Sequence, residues 1–383
     1  MDFELSEEQR LLKDSVERLT AQRYDFEARK KYMKEADGWS RALWQQYAEL
    51  GLTALPFGEE HGGVGGGAVE TMIVMEAFGR ALALEPYFAS VVLGGSFVKL
   101  GASDKTKAAV LPKVATGEML LALAHVERQA RYDLADVATT AKKDGADFVL
   151  NGEKSLAVHG DCADKIIVSA RVSGAQRDRS GIGLFLVDAT AGGVSRRGYP
   201  TMDGQRAAEV SLAGVKVGAD DVIGEAGNAF PLLEQVSHIA IAALAAEAVG
   251  AMGAMHELTV DYLKQRKQFG VPIGNFQVLQ HRAGEMLIAL EQARSMAMLA
   301  TMMAEEQNAE ERRKAISAAK VQIGRSAKFV GQQAIQLHGG IGMTMEYKVG
   351  HYFKRITMID TMFGDADYHL AALARQGGII GAR

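Results

Sequence analysis

The chain has 383 residues, 48% of them hydrophobic and 23% charged, with a net charge of −4. That length supports two or three domains with a large core, and the weak charge gives no reason to expect nucleic acid or an anionic membrane as partner. One cysteine, Cys162, excludes an internal disulfide and fits a reducing cytoplasm, with a small buried hydrophobe as its ordinary role.

The N-terminal stretch MDFELSEEQRLLKDS is charged and amphipathic, without the apolar core of a signal peptide. No run is read as approaching bilayer length, so a soluble protein is expected. Ser6 opens a helix, with Gln9 three residues on as in a capping box, and Leu12, Val16 and Leu19 continue a helical stripe. Trp39–Leu50 gives a second helix, stopped by Gly51. Six glycines in Pro56–Gly67 exclude a regular element there. Helix resumes over Ala68–Leu84, is interrupted by Pro86, continues over Tyr87–Leu100, and ends the set with Asp104–Ala115 behind an N-cap at Ser103.

From Leu120 the pattern shortens into β-type runs: Leu120–Val126, Ala138–Lys142, Phe148–Leu156, Lys165–Arg171, Gly183–Val187 and Ala208–Val217. Asn151-Gly152 is read as a hairpin turn, and the whole as a small antiparallel barrel or sandwich. After Gly227 long Ala-, Met- and Leu-rich helices follow: Phe230–Lys264, Phe276–Gln307, Ala309–Leu337, Lys348–Met362 and the shorter Asp365–Gln376, which should pack as a bundle. The expected fold is mainly α with a central β module: a helical domain over 1–118, a β-barrel over 119–226 and a C-terminal four-helix bundle over 227–383.

One stretch stands apart, Arg266–Gln277, reading RKQFGVPIGNFQ. Gly270, Pro272 and Gly274 punctuate a connector between two helices. Arg266 and Lys267 sit where the helix dipole favours cations, and Gln268, Phe269, Phe276 and Gln277 add amides and flat apolar faces. Such a set either grips a phosphate-bearing aromatic ligand or is an ordinary capping turn. Other features take plainer readings. The 17 methionines are adaptable core filler, and Glu305–Lys314 is a solvated helix connection. Gly62–Gly67 lacks the Lys-Ser/Thr of a phosphate loop, and His159, His351 and His369 lack the spacing of a metal site, so none is expected.

Taken together, R-K-Q-F-G-x-P-I-x-x-F-Q at 266–277, Q-L-H-G-G-I-G at 336–342, Asn151-Gly152-Glu153-Lys154 and Gly51-Leu52 with Pro56 resemble the acyl-CoA dehydrogenase family over essentially the whole chain. The resemblance implies FAD as cofactor and oxidation of an acyl-CoA to its trans-2-enoyl-CoA. A carboxylate takes the α-proton, the β-hydride goes to the flavin, and electrons leave through an electron-transferring flavoprotein. Arg266, Gln268, Phe269, Phe276 and Gln277 match family contacts to the cofactor. Gln336, His338, Gly339 and Gly340 match the segment that reaches FAD held mainly by a neighbouring subunit, so an oligomer is implied.

The chain also departs from that pattern. Ala124–Asp133 replaces a Thr-Glu-Pro-Gly loop, and Leu156 and Val158 fall at a Trp-x-Thr that lies beside the flavin ring. A methyl cannot make the hydrogen bond of the hydroxyl it replaces. Where relatives carry a catalytic glutamate in Tyr-Glu-Gly-Thr, the segment reads Phe363-Gly364-Asp365-Ala366-Asp367, which sets Gly364 at the base's position with Asp365 one residue on. The family's second location for the base falls at Ala240, followed by Ile241. Glu247, about two turns and 10 Å further, remains as candidate base. Its alternatives are a buried pair with an arginine such as Arg282 or Arg325, or a solvent-facing helix edge. These losses resemble the smaller subunit of the α2β2 pimeloyl-CoA and steroid side-chain dehydrogenases. There this chain would complete a cofactor held by a larger homologous subunit, with a catalytically silent scaffold as the other reading.

Overall fold

A computed structural model of the protein describes residues 5–377, so the first four residues of the N-terminal stretch lie outside it. The helices are α1 Glu7–Arg23, α2 Phe26–Tyr32, α3 Arg41–Glu49, α4 Ala68–Ala81, α5 Ser96–Gly101, α6 Asp104–Ala115, α7 Phe230–Gln265, α8 Gln277–Met303, α9 Ala309–His338, α10 Lys348–Thr361 and α11 Ala366–Arg375. The capping box forms as its sequence requires: Gln9 N–H donates to Ser6 Oγ at 3.2 Å, and Ser6 N–H to Gln9 Oε1 at 3.0 Å. Ser103 likewise caps α6 through Thr106 N–H.

The described residues divide into two compact units, one of 5–31, 68–83 and 241–377, the other of Tyr32–Gly67 and Leu84–Ala240. The N-terminal helices thus contribute to both, and α7 runs from one into the other at 240/241.

In the first unit α8 and α9 form a long antiparallel pair beside α7, with α10 and α11 on α9. Helices α4 and α7 cross with almost no side chain between them. A Cβ on Gly79 would lie 1.9 Å from the Glu247 carbonyl oxygen, and one on Gly250 1.9 Å from that of Glu76. Only hydrogen fits at either place. Helix α7 corrects the expectation that no run reaches bilayer length, because it is long and apolar enough. Yet 94% of its most apolar window is buried inside the protein, as befits a central helix wrapped on every side.

The second unit is built on strands β1 Leu121–Ala124, β2 Thr140–Asp144, β3 Asp147–Val158, β4 Lys165–Arg171, β5 Ile182–Asp188, β6 Val194–Pro200, β7 Arg206–Val217 and β8 Val222–Gly227. Their order is β6-β7-β3-β2-β4-β5-β8. Pairing is mostly antiparallel, but β1 runs parallel to β4, and β2 meets β4 in parallel at Thr140 and Arg171. Phe148 and Phe185, with ring centres 5.0 Å apart, sit in the buried core of this sheet.

Asn151-Gly152 is not the hairpin turn. Both residues lie inside β3, opposite Ala213 and Leu212, where the register shifts. Asn151 Oδ1 accepts from Gly214 N–H at 2.8 Å, and a Cβ on Gly152 would lie 2.5 Å from Thr139 Oγ1. The pair marks a bulge and a close backbone approach. The reversal itself falls at Gly145, with φ +63° between β2 and β3.

Candidate functional site

The 266–277 corner is a miniature hairpin. Lys267–Gln268 (β9) pairs with Val271–Pro272 (β10), and the intervening Phe269 and Gly270 both take positive φ, +55° and +80°. A two-residue turn with both φ positive matches the twist of the strands it joins. The corner is closed by Ile273 N–H donating to Arg266 O at 2.8 Å, and Gly274 lets the chain pass Leu263 O where a Cβ would come within 2.9 Å. Helix α8 then begins at Gln277. Arg266, Gln268 and Gln277 are exposed. Phe269 is 91% exposed, and its ring packs T-shaped with that of Phe276, centre to centre 6.1 Å.

The end of α9 offers a second open surface. Gly339 takes φ +63°, and nothing lies within 4 Å of a Cβ placed on Gly339 or Gly340. Gln336 is exposed beside them. His338 is the exception among the residues expected to contact a cofactor, being 3% exposed. Its ring meets Tyr262 at 4.6 Å and Tyr347 at 5.0 Å, the two tyrosines lying 6.5 Å from each other, and its Nδ1–H donates to Ala334 O at 2.8 Å. Burial holds it below the ordinary histidine pKa. Because Tyr262 precedes Arg266 by about one helical turn, this ring contact brings the two segments together.

The carboxylates are occupied. Glu247 is 4% exposed, and its two oxygens accept from Arg355 Nε and Nη2 at 2.6 and 2.8 Å. The structure therefore gives Glu247 the place of a buried ion-pair partner, with an arginine of α10 in place of Arg282 or Arg325. Both oxygens accept in a fork, which is poor preparation for receiving a substrate proton. Asp365 is the N-cap of α11, accepting from Tyr368 N–H at 2.8 Å. Gly364 takes φ +102° directly before that cap, a conformation that favours glycine. The Phe363 carbonyl, one residue earlier, accepts from His369 Nε2 at 2.9 Å, and neither Phe363 nor Gly364 carries a carboxylate.

In the second unit Leu156 and Val158 are half-buried near the end of β3, with Val126 bridging Leu156. The loop replacing Thr-Glu-Pro-Gly is fastened from inside. Lys154 Nζ donates to Glu127 Oε1 at 2.6 Å and to Ser169 Oγ at 3.1 Å, while Glu127 also accepts from the amides of Ala138 and Thr139. Burial alone would raise the Glu127 carboxyl, but the Lys154 ammonium and the donors around it hold it at about 2. Burial likewise pushes His125, bonded to Ser169 at 2.8 Å, down to about 3.

Sequence reasoning missed Arg355, Tyr262, Tyr347 and the Lys154–Glu127 pair as organisers. No local signal marks the two tyrosines, and a charged residue near apolar neighbours, as at Arg355, names no partner. His159 and His369 bond to Gln205 and Ser317, and no group of three or more His, Cys, Asp or Glu among the described residues is placed to hold a metal. A cleft of about 410 Å³ beside α4 and α7 is lined by Arg80 and Arg294, but these pair with Glu257 and with Glu76 and Glu291.

Family models match end to end: acyl-CoA dehydrogenase N-terminal domain over 6–118, middle domain over 122–215 and C-terminal domain over 238–378. The chain is 28% identical to a probable acyl-CoA dehydrogenase, YngJ, of Bacillus subtilis, covering 98% of this chain and 99% of that one. It is 30% identical to the mitochondrial long-chain specific acyl-CoA dehydrogenase of Sus scrofa, over 82% of this chain and 74% of that one. Among solved structures it is similar to a single-substitution variant of the Tcur3481-Tcur3483 steroid ACAD (28% identity, TM-score 0.87, 96% and 97% coverage). The ChsE4-ChsE5 complex of Mycobacterium tuberculosis shares the fold, with TM-score 0.88 at 23% identity over 100% of both chains.

Proposed function

The chain belongs to the acyl-CoA dehydrogenase family, oxidoreductases acting on the CH–CH group of acyl-CoA with FAD, and from that premise we propose that it works as one subunit of a heteromeric enzyme. Its partner is a larger homologous chain in an α2β2 assembly. The substrate class is a bulky or dicarboxylic acyl-CoA, oxidised to the trans-2-enoyl thioester. Electrons leave to an electron-transferring flavoprotein. The two-chain composition named for similar solved enzymes supports this reading.

One contrast carries it. The corner suited to the adenosine-diphosphate half of FAD is open, whereas the positions that the family pattern gives to the flavin ring hold Leu156 and Val158, and Gly364, with Phe363 before it, leaves the base's place without a carboxylate. The donor set fits the cofactor: Arg266 is an exposed guanidinium for phosphate oxygens, and Gln268, Gln277 and Gln336 add amides. Phe269 and Phe276 offer ring faces, and Gly339 and Gly340 let backbone N–H groups come close. When bound, FAD supplies the hydride acceptor. This chain's residues anchor and orient its phosphate end, and His338 supports the segment from behind. Glu247 contributes by its pair with Arg355. The setting is the cytoplasm, where the Cys162 thiol, pushed up to about 12 by burial, stays inert.

The test is flavin absorbance and dye reduction by the chain made alone and with a larger homologous partner. Little bound flavin alone, and a full complement with turnover together, is the expected result. Stoichiometric flavin and turnover by the chain alone would overturn the heteromeric reading. A second reading, a catalytically silent scaffold that completes the partner's site, is favoured by the lack of a carboxylate at Phe363 and Gly364 and by the engagement of Glu247 and Asp365. Removing the partner's base while keeping this chain intact separates them: complete loss of turnover supports the scaffold, and residual turnover the active subunit.

A further inference from the structure

We propose that His351 is a positioning residue for the cofactor segment: as the neutral Nε2–H tautomer it links the Arg29 guanidinium to the Met345 carbonyl and fixes the backbone course from Gly339 to Tyr347. The inference rests on the assignment of Gln336, Gly339 and Gly340 to the cofactor made above.

The geometry sets the tautomer. Arg29, on α2, is 1% exposed; its Nε–H donates to Leu82 O at 3.0 Å, and its Nη1 lies 3.2 Å from His351 Nδ1. A guanidinium only donates, so Nδ1 must be the accepting nitrogen. The ring proton is therefore on Nε2, which donates to Met345 O at 3.0 Å. His351 is itself 4% exposed. The cofactor segment is thus pinned by two buried histidines, His338 against its two tyrosines at one end and His351 at the other. Between them Gly339, Gly340, Ile341 and Met343 stay exposed.

The surroundings keep His351 neutral. Burial comes first, and the cations that act on it are Arg29 and Lys30 of α2 and Lys354 of its own helix. Lys348 adds a further cation near Arg29, and Asp25 is a carboxylate acting on that lysine. Phe26 covers the ring edge-on at 4.9 Å. A second proton on Nδ1 would face the Arg29 donor directly, and the link would break. The folded pKa lies below the ordinary histidine value, so the link is complete above that value and is lost as pH falls through the folded one.

Hydrogen–deuterium exchange at residues 340–347, corrected for intrinsic rates, and FAD dissociation constants test this across about pH 5 to 8 on the co-produced assembly. The variants are His351→Gln, His351→Phe and Arg29→Met. Gln can accept from Arg29 and donate to Met345 O, so His351→Gln should keep slow exchange and remove the acid-side rise expected of the parent. His351→Phe and Arg29→Met should each speed exchange there and weaken FAD about tenfold at neutral pH. Identical exchange in all forms overturns the link. Faster exchange with unchanged FAD affinity overturns its role toward the cofactor. Absence of FAD binding by the parent assembly overturns the functional reading itself, while exchange still reports on the link. If the Phe variant does not fold, the flat or sloping pH profile of His351→Gln decides.

Discussion

Glu247 of α7 and Arg355 of α10 are joined by a two-pronged ion pair, both distances under 3 Å, with both side chains almost wholly removed from water. Breaking such a pair leaves one charge stranded. Arg355→Met should cost about 3–5 kcal/mol, whereas Glu247→Gln with Arg355→Met together should recover much of that loss. Denaturant unfolding of the three forms measures it. Turnover per bound flavin that survives Glu247→Gln in the active assembly would also remove Glu247 as base.

Arg266→Ala should lower FAD affinity about ten- to hundredfold with little change in unfolding midpoint, since the side chain is exposed. Fluorescence titration of FAD against the co-produced assembly reads the first effect and thermal unfolding the second. An unchanged affinity would detach the hairpin from the cofactor.

Glu127 gives the second unit a pH dependence. Its folded pKa of about 2 lies below the usual glutamate value, so its contribution is present above that value and is lost as pH falls toward 2. Glu127→Gln should flatten the acid limb of the stability profile and destabilise the protein at neutral pH, because Lys154 is left buried without its charge partner. An unaltered acid limb in urea unfolding at stepped pH would refute this.

Gly250→Ala should destabilise by about 1–3 kcal/mol or more, because the new methyl collides with backbone in α4, which yields less readily than a side chain. Gly284→Ala on α8, with nothing within 4 Å of its Cβ, is the control and should be neutral or slightly stabilising. Thermal unfolding of both variants makes the comparison.

Local chemistry explains what could be read from the chain. Ser6, Ser103 and the long helices were legible because caps and periodicity are short-range signals. Strand β6 was not, since Val194–Pro200 carries two arginines and a proline on an edge strand that buries little. Asn151-Gly152 misled because its usual turn chemistry serves here as a bulge under tertiary contact from Thr139. At the candidate site, the exposed members of the corner were recognisable by residue type. The inward turn of His338 depends on two tyrosines, one of them about 75 positions away in the chain, and no window of sequence contains both.

The bare phenyl at 269 has a practical corollary. Both native indoles, Trp39 and Trp44, are buried, so changes in hydration at the hairpin should leave their emission wavelength in place. Phe269→Trp would install a lamp at the tip, red-shifted in water and blue-shifted once a nucleotide or a neighbouring chain dries it. Assembly could then be watched in real time, without a label.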